Sequence, residues 1–554
     1  MIGARISLIR ATGRTYSSVN INRCLSYQFY YHYHWQQDVT GRSRNCGAGG
    51  EAGVRGQQWT SSRQDISRSS PAFGGLRLWS SPSYRQYSSG RLMNGFIEDD
   101  LLKKDILVEG ADGKSPPVID FSKAEIIFKQ KATEELARSL VVLQMCSFNF
   151  FVDNSLKLMS LGLRVLGDTL FSALMKASFY GQFAASPQSV TQVAKKFSDA
   201  DIAPMLATTA EEKVGDNPDI INEAKYDRNV ETMLLCLDMQ LEVARPNQPI
   251  LSQLRVTSYI KADLLAKLSD ILATMDNNFL MDSPVCVANF KNGLDGNLMD
   301  IPELTDAELT HLRNALKRMD VVLQRALKNG IKTLVDAEYV SVNQAMSLIT
   351  LAMMKKYNSK EPLVWNTYQC YLKEAMANMK KGLAVADAEG FKFGVKVVRG
   401  AYMEYERTTA RSEGKPDPVN ATYEDTNNMY NDVVAHLLER IHERGSNTIN
   451  LIIATHNIDS VSKAMKRMWE LGLAPREGSV VFGQLMGMCD HVSYGLGQAG
   501  YLTYKSIPFG SIEDVLANMS RRAQENKTVF HRLEQEKKML RKEISRRTFS
   551  FANK

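Results

Sequence analysis

The sequence predicts an α/β protein built on a parallel (βα)8 barrel, preceded by a helical region. Three observations carry this reading. Eight short β-rich or apolar runs recur between residues 202 and 507. Most are followed by longer amphipathic segments, the rhythm of parallel strands joined by crossover helices. Ahead of them, Leu136, Leu140, Leu143, Phe150, Leu158, Leu161, Leu166, Leu170 and Leu174 recur at near-helical spacing. An open doubly wound sheet is the alternative, because periodicity does not separate it from a closed barrel.

The runs are Ile202–Ala207, Gln253–Tyr259, Thr333–Ala337, Leu363–Tyr368, Gly394–Val398, Leu451–Ala454, Val480–Phe482 and Leu502–Ile507. An insert at about 275–305 reads as irregular. Its Asp295-Gly296 faintly resembles a calcium loop but lacks acids at the first and third positions, so no calcium site is expected. Gly495-Leu-Gly497-Gln-Ala-Gly500 matches G-x-G-x-x-G. A dinucleotide fingerprint follows a strand and opens a helix. Here a strand-like run follows the glycines, so a plain turn is expected.

Composition sets the outer organisation. Of the 554 residues, 44% are hydrophobic and 23% charged, as in ordinary globular proteins. The net charge of +7 is uneven: residues 1–90 hold eleven Arg, no Lys and three acids, +8, leaving the rest near −1. A near-neutral body argues against nucleic-acid binding. Residues 1–87, rich in Arg and Ser and poor in acids, read as a disordered mitochondrial presequence. Arg-x-Tyr-Ser-Ser, similar to a matrix-protease cleavage context, occurs at Arg14–Ser18 and Arg85–Ser89. Residues 88–132 read as an arm, 133–198 as the helical region, 199–526 as the barrel and 527–554 as a basic helical tail. The tail has nine Lys/Arg and three Glu, with Val529, Leu533, Leu540 and Ile544 near one face, a pattern suited to an anionic membrane surface. The most apolar stretch, Leu140–Val152, is too short to span a bilayer, so no transmembrane helix is expected. Seven cysteines without a C-x-x-C pair suit a reducing compartment and no zinc site.

In a barrel, chemistry gathers where strands end at the C-terminal face. Those ends hold Asp336-Ala-Glu338, Asn366-Thr-Tyr-Gln369, Lys396 with Arg399-Gly-Ala-Tyr402, Thr455-His-Asn457, Gly483-Gln-Leu-Met-Gly487 and Lys505-Ser506. The next segment carries Asn518, Arg521, Arg522 and Glu525. No metal cluster and no G-x-S-x-G nucleophile elbow occurs among them. Cations suited to phosphates and amides suited to a heteroaromatic ring fit an organic cofactor, and adjacent arginines fit a substrate carboxylate.

The strings Leu334-Val-Asp-Ala-Glu338, Asn366-Thr-Tyr-Gln-Cys-Tyr371, Val398-Arg-Gly-Ala-Tyr402, His456-Asn457, Phe482-Gly-Gln-Leu-Met-Gly-Met-Cys-Asp490 and Arg521-Arg-Ala-Gln-Glu-Asn526 resemble the proline dehydrogenase family, from about Leu136 to the C-terminus. The resemblance implies a distorted barrel, FAD at its mouth, and a last helix over the site. It implies that Arg521 and Arg522 bind the substrate carboxylate, that Asp336 lies beneath flavin and substrate, and that Met486 is an apolar wall. Asn366, Lys396, Gly400, Ala401, Tyr402, His456, Asn457, Gln484 and Glu525 are the implied FAD residues. A membrane quinone, ubiquinone in mitochondria, is the implied acceptor, which places the protein in the matrix with possible inner-membrane contact.

Proline-specific members usually carry Tyr where this chain has Ser506; the hydroxyproline branch carries Ser, which leaves room beside C4 and offers a hydrogen bond to a 4-hydroxyl. Asp336-Ala-Glu-Tyr339 and Lys466-Arg-Met-Trp-Glu470 are also similar to that branch. Two substrate-site positions depart from the family pattern: Asn518 stands where Tyr is usual, and Arg255 where Lys is usual. The expected activity is oxidation of trans-4-hydroxy-L-proline. L-proline oxidation and a catalytically weak flavin-binding homologue are the alternatives.

Overall fold

A computed structural model describes residues 106–109, 115–210, 215, 221–274, 285–297, 299–510, 512, 515–516, 519–520 and 533–552. The presequence, Val529, Asn518, Arg521, Arg522 and Glu525 lie outside the described residues.

Eight parallel strands close into a barrel in chain order: β1 Ile202–Thr208, β2 Ile250–Leu254, β3 Ile331–Val335, β4 Val364–Gln369, β5 Phe393–Val398, β6 Ile449–Ala454, β7 Val480–Leu485 and β8 Thr503–Phe509. Closure is made by β8, which pairs with β1 from Thr503–Ile202 to Phe509–Thr208. The expected closed barrel is therefore the fold, and the open sheet is excluded. Alternate strand residues point inward. Met205, Leu251, Leu334, Trp365, Ile452 and Tyr504 form an apolar plug inside the barrel. Its polar tips are satisfied: Trp365 Nε1 donates to the Pro362 carbonyl at 2.8 Å and Tyr504 Oη to that of Pro249 at 2.6 Å. The plug fills the N-terminal half of the barrel and leaves its C-terminal mouth open.

Several local expectations change. Strand β2 ends at Leu254, and Val256–Ser258 form a 3-10 turn instead of continuing the strand. The β-prone Arg255-Val-Thr sequence is overridden because Leu254 pairs with Val335, the last residue of β3. The irregular insert contains a helix, Val287–Leu294, whose Phe290 and Leu294 are buried. Asp295 is held by Lys291 at 2.5 Å and Lys356 at 3.1 Å. The glycine motif is not a plain turn: Gly495 and Gly497 lie inside the buried helix Asp490–Gln498, and the chain turns at Gly500. The backbone packs so closely that a Cβ at Gly497 would meet the Ala200 carbonyl oxygen at 2.5 Å.

The basic tail also corrects an expectation. Helix Glu534–Ala552 packs on Thr133–Cys146, burying Leu533, Met539 and Leu540, with Ile544 packed against the same core. Its charges are engaged too: Lys537 donates to Ser147 Oγ at 2.9 Å, and Arg547 to the Phe128 carbonyl at 2.8 Å. The apolar face a membrane would need is inside the protein. Conversely, among the described residues one helical segment, Ser155–Phe183, is long and apolar enough by composition to cross a membrane. An uninterrupted apolar run overlooks it, because Ser, Gly and Thr are interspersed among its leucines.

Candidate active site

The mouth of the barrel holds a cavity of about 950 Å³, at the upper end of the roughly 300–1,000 Å³ of ligand pockets. Its base is made of residues in the strands or just beyond their C-terminal ends, including Arg255, Asp336, Thr367, Gln369, Lys396 and Ser506. Its roof comes from the helical region, through Phe151, Met159 and Met175, and from Leu516, Met519 and Ser520 beyond β8. The last three place helical residues over the mouth, as expected.

Asp336 is the electrostatic centre. Its carboxylate lies 2.5 Å from Lys396 Nζ and 3.5 Å from Arg255 Nε. Burial pushes its acidity toward the neutral form, but the two cations outweigh burial and hold it below the usual carboxylate range. Asp336 is therefore an ionised anchor, not a proton donor, at neutral pH. Arg255 works here as the second cation on that anchor.

Gly400 turns the chain out of β5 at φ +116°, and a Cβ there would lie 1.8 Å from the Tyr371 ring. Only glycine fits, which brings bare backbone to the cavity wall beside Ala401 and Tyr402. The ring of Tyr402 is buried and stands 4.3 Å from that of Tyr339, centroid to centroid. Arg399 is fixed by Thr455 at 2.7 Å and Ser460 at 2.8 Å, and lies over Tyr430. Asn457 caps helix Ile458–Glu470 by accepting from Ser460 N–H, so its side chain has a structural task at the cavity edge.

His456 lines the cavity, and its Nδ1 has no hydrogen-bond partner. Burial, then the Lys505 charge, lowers its pKa to about 3, so the ring is neutral. As pH falls below about 6.5, the unfolded chain takes up a proton that the folded one refuses. Stability contributed by the neutral ring is present above that pH and is lost toward about 3. His456→Gln should thus shrink the drop in urea midpoint between pH 6.5 and 4.5, about one proton's worth. An equal drop in both proteins would show that the ring titrates normally.

Ser506 lies on the cavity wall and donates to Gln253 Oε1 at 3.1 Å. Met486 lies beside it, its N–H donating to the Ser506 carbonyl at 2.9 Å. Gln484 reaches the cavity and accepts from Ser493 Oγ at 2.9 Å.

The fold turns the Asn366 side chain away from the cavity. Asn366 pairs in register with Val395, whereas Thr367 pairs with cavity-facing Lys396. Asn366 Nδ2 instead donates to Ser347 on the surrounding helix Val340–Tyr357, at 2.8 Å. Thr367 and Gln369 take its place. Strand alternation could have flagged them, since both share the parity of Trp365. Lys505 likewise faces outward, 2.8 Å from buried Asp490, whose second partner is Lys131. Gln253 had no motif to mark it.

Residues 197–535 match the family model described as proline dehydrogenase. The chain belongs to the proline dehydrogenase family. It is 41% identical to hydroxyproline dehydrogenase of Xenopus laevis, over 76% of this chain and 89% of that one. It is 38% identical to the human hydroxyproline dehydrogenase, over 76% and 92%. Identity to human proline dehydrogenase 1, mitochondrial, is 31% over 78% and 90%. Among solved structures, proline utilization A of Bdellovibrio bacteriovorus, inactivated by N-propargylglycine, aligns with a TM-score of 0.50 at 16% identity. That match covers 79% of this chain but 40% of the other, and supports the barrel fold alone. Proline dehydrogenases are oxidoreductases acting on proline-type substrates and are in general flavin-dependent. The cavity fits a flavin on its own terms. It supplies an unpartnered buried imidazole nitrogen, a glycine backbone wall, and Lys396 and Gln484 among strand-end polar groups.

Proposed function

We propose that this proline dehydrogenase oxidises trans-4-hydroxy-L-proline with FAD bound at the barrel mouth, and that electrons pass to ubiquinone. The carrying observation is Ser506: a small hydroxyl on the cavity wall, held by Gln253, where a phenol would fill the space beside the ring. The higher identity to hydroxyproline dehydrogenases than to proline dehydrogenase 1 supports the same choice.

FAD in this site would accept the hydride from C5 of the bound free amine, and loss of the amine proton would leave 3-hydroxy-1-pyrroline-5-carboxylate. The chain's own residues position the substrate. Arg521 and Arg522 hold its carboxylate, Ser506 receives the 4-hydroxyl, and Met486 closes the apolar side. Asn518 leaves open the wall that an aromatic ring usually supplies. Asp336 remains ionised and holds Lys396 and Arg255 at the base of the cavity, with Arg255 on the substrate side. Lys396, Gly400, Ala401, Tyr402, His456, Asn457, Gln484 and Glu525 surround the cofactor, with Thr367 and Gln369 in place of Asn366. The Arg-rich segment 1–87 acts as a presequence delivering the chain to the mitochondrial matrix.

Ser506→Tyr tests the specificity. It should lower kcat/KM for hydroxyproline far more than for proline, by about 1–3 kcal/mol of discrimination. Equal losses for the two substrates would remove the steric argument.

A further inference from the structure

Among the described residues, 11 of the 21 exposed large hydrophobic side chains fall between Phe148 and Leu174. This concentration marks the helical region as something other than ordinary surface. Helix Ser155–Ala177 is broken at Gly167, at φ 69° and ψ 168°. A Cβ on Gly162 would lie 3.1 Å from the Phe171 ring. Nine residues of straight helix span ~13 Å, so the two halves fold back on one another as a hairpin with Gly167 at its tip.

The exposure is not a stripe. Before the tip, Leu156, Leu158, Leu161, Leu163 and Val165 are all exposed; at about 100° per residue Leu158, Leu161 and Val165 share one side and Leu156 and Leu163 the opposite one, with exposed Lys157, Ser160 and Arg164 between them. Apolar side chains on both flanks of a basic strip suit a helix lying in a lipid interface, with the strip at the headgroups and the flanks in the acyl layer. Val165, next to the tip, is 72% exposed. The halves, residues 155–166 and 168–177, are about 18 and 15 Å long, too short for the ~30 Å hydrocarbon layer. Lys157, Arg164 and Lys176 outnumber the single acid, Asp168, in the hairpin. Long basic side chains can keep their charge at the headgroups while the leucines enter.

We infer that the hairpin Ser155–Ala177 is a monotopic docking surface that dips into one leaflet of an anionic phospholipid bilayer. The inner side of the same hairpin roofs the active site through Met159, Phe171 and Met175. Docking therefore sets the cavity against the membrane, where a lipid-dissolved quinone is met; this use rests on the acceptor reading above, while the docking itself does not.

The test is flotation of the flavin-loaded full chain with phosphatidylcholine vesicles containing cardiolipin, native against Leu163→Glu/Val165→Glu/Leu170→Glu. None of these three side chains lines the cavity. The vesicle-bound fraction should fall at least tenfold, with flavin content and turnover with a water-soluble quinone unchanged. In a second measurement, Val165→Trp in the full chain should gain fluorescence that bromine-labelled lipid quenches. Equal flotation of native and variant protein overturns the inference. So does no native flotation at low salt, or a native dimer that the triple variant dissociates without vesicle binding having occurred. Vesicle binding without quinone reduction would uphold the docking surface and overturn the acceptor instead.

Discussion

Asp336→Ala should destabilise the barrel mouth by about 3 kcal/mol and lower kcat/KM for hydroxyproline at least ~100-fold. Removing the carboxylate leaves Lys396 and Arg255 as like charges in a largely buried wall. Breaking a buried pair costs about 3–5 kcal/mol, and the opening of this site onto a cavity places the value at the low end. A hundredfold rate loss corresponds to ~2.7 kcal/mol of transition-state stabilisation. Asp336→Asn keeps the shape and removes only the charge, so it should reproduce most of the loss. Acid should do the same to the native protein. The folded pKa of Asp336 is depressed, so its contribution is present above the ordinary carboxylate range and is lost as pH falls through the folded value. Thermal unfolding, flavin content and steady-state rates measure these effects. An Ala variant of native stability and activity would show that the carboxylate holds neither cation.

Arg521→Met and Arg522→Met should each weaken substrate binding by about 2–5 kcal/mol, the range for losing one partner of a desolvated charged pair. Both residues lie outside the described structure, but Leu516, Met519 and Ser520, just before them, line the cavity roof. Flavin content should change less than KM if the proposed clamp addresses the substrate carboxylate. Arg521→Lys or Arg522→Lys should recover only part of the loss, since an ammonium lacks the planar fork that pairs with a carboxylate. Substrate titration of flavin absorbance measures binding directly. Native KM in both Met variants would place the arginines outside the site.

Reading residues from the sequence worked where one chemical pattern has one structural solution. Eight β-rich runs separated by amphipathic segments led to a parallel α/β fold, because parallel strands need crossover helices; the pairing of β8 with β1 decided its closure into a barrel. Strand-end residues such as Asp336, Lys396, His456 and Ser506 were legible as a polar mouth for the same reason: a barrel exposes its strand ends on one side.

What the sequence left open depends on contacts between distant segments. Whether Asn366 or Thr367 faces the cavity is a matter of register against Lys396, and a one-residue shift reverses every side chain of a strand. The end of β2 was decided by the length of its neighbour β3, not by the β-propensity of Val256. Gln253 became part of the site only because β8 brings Ser506 to it from 253 residues away. The tail's apolar face was legible but its cover was not, since helical spacing reports that a face is apolar and not what covers it. Leu540 of the tail is buried on the helix Thr133–Cys146, while Val165 is left on the outside. The sequence by itself determined the family and the parallel α/β class, because these follow from local pattern and residue type. Only the tertiary structure decided which side chains enter the mouth and which apolar surface remains uncovered, because both are set by packing across the fold.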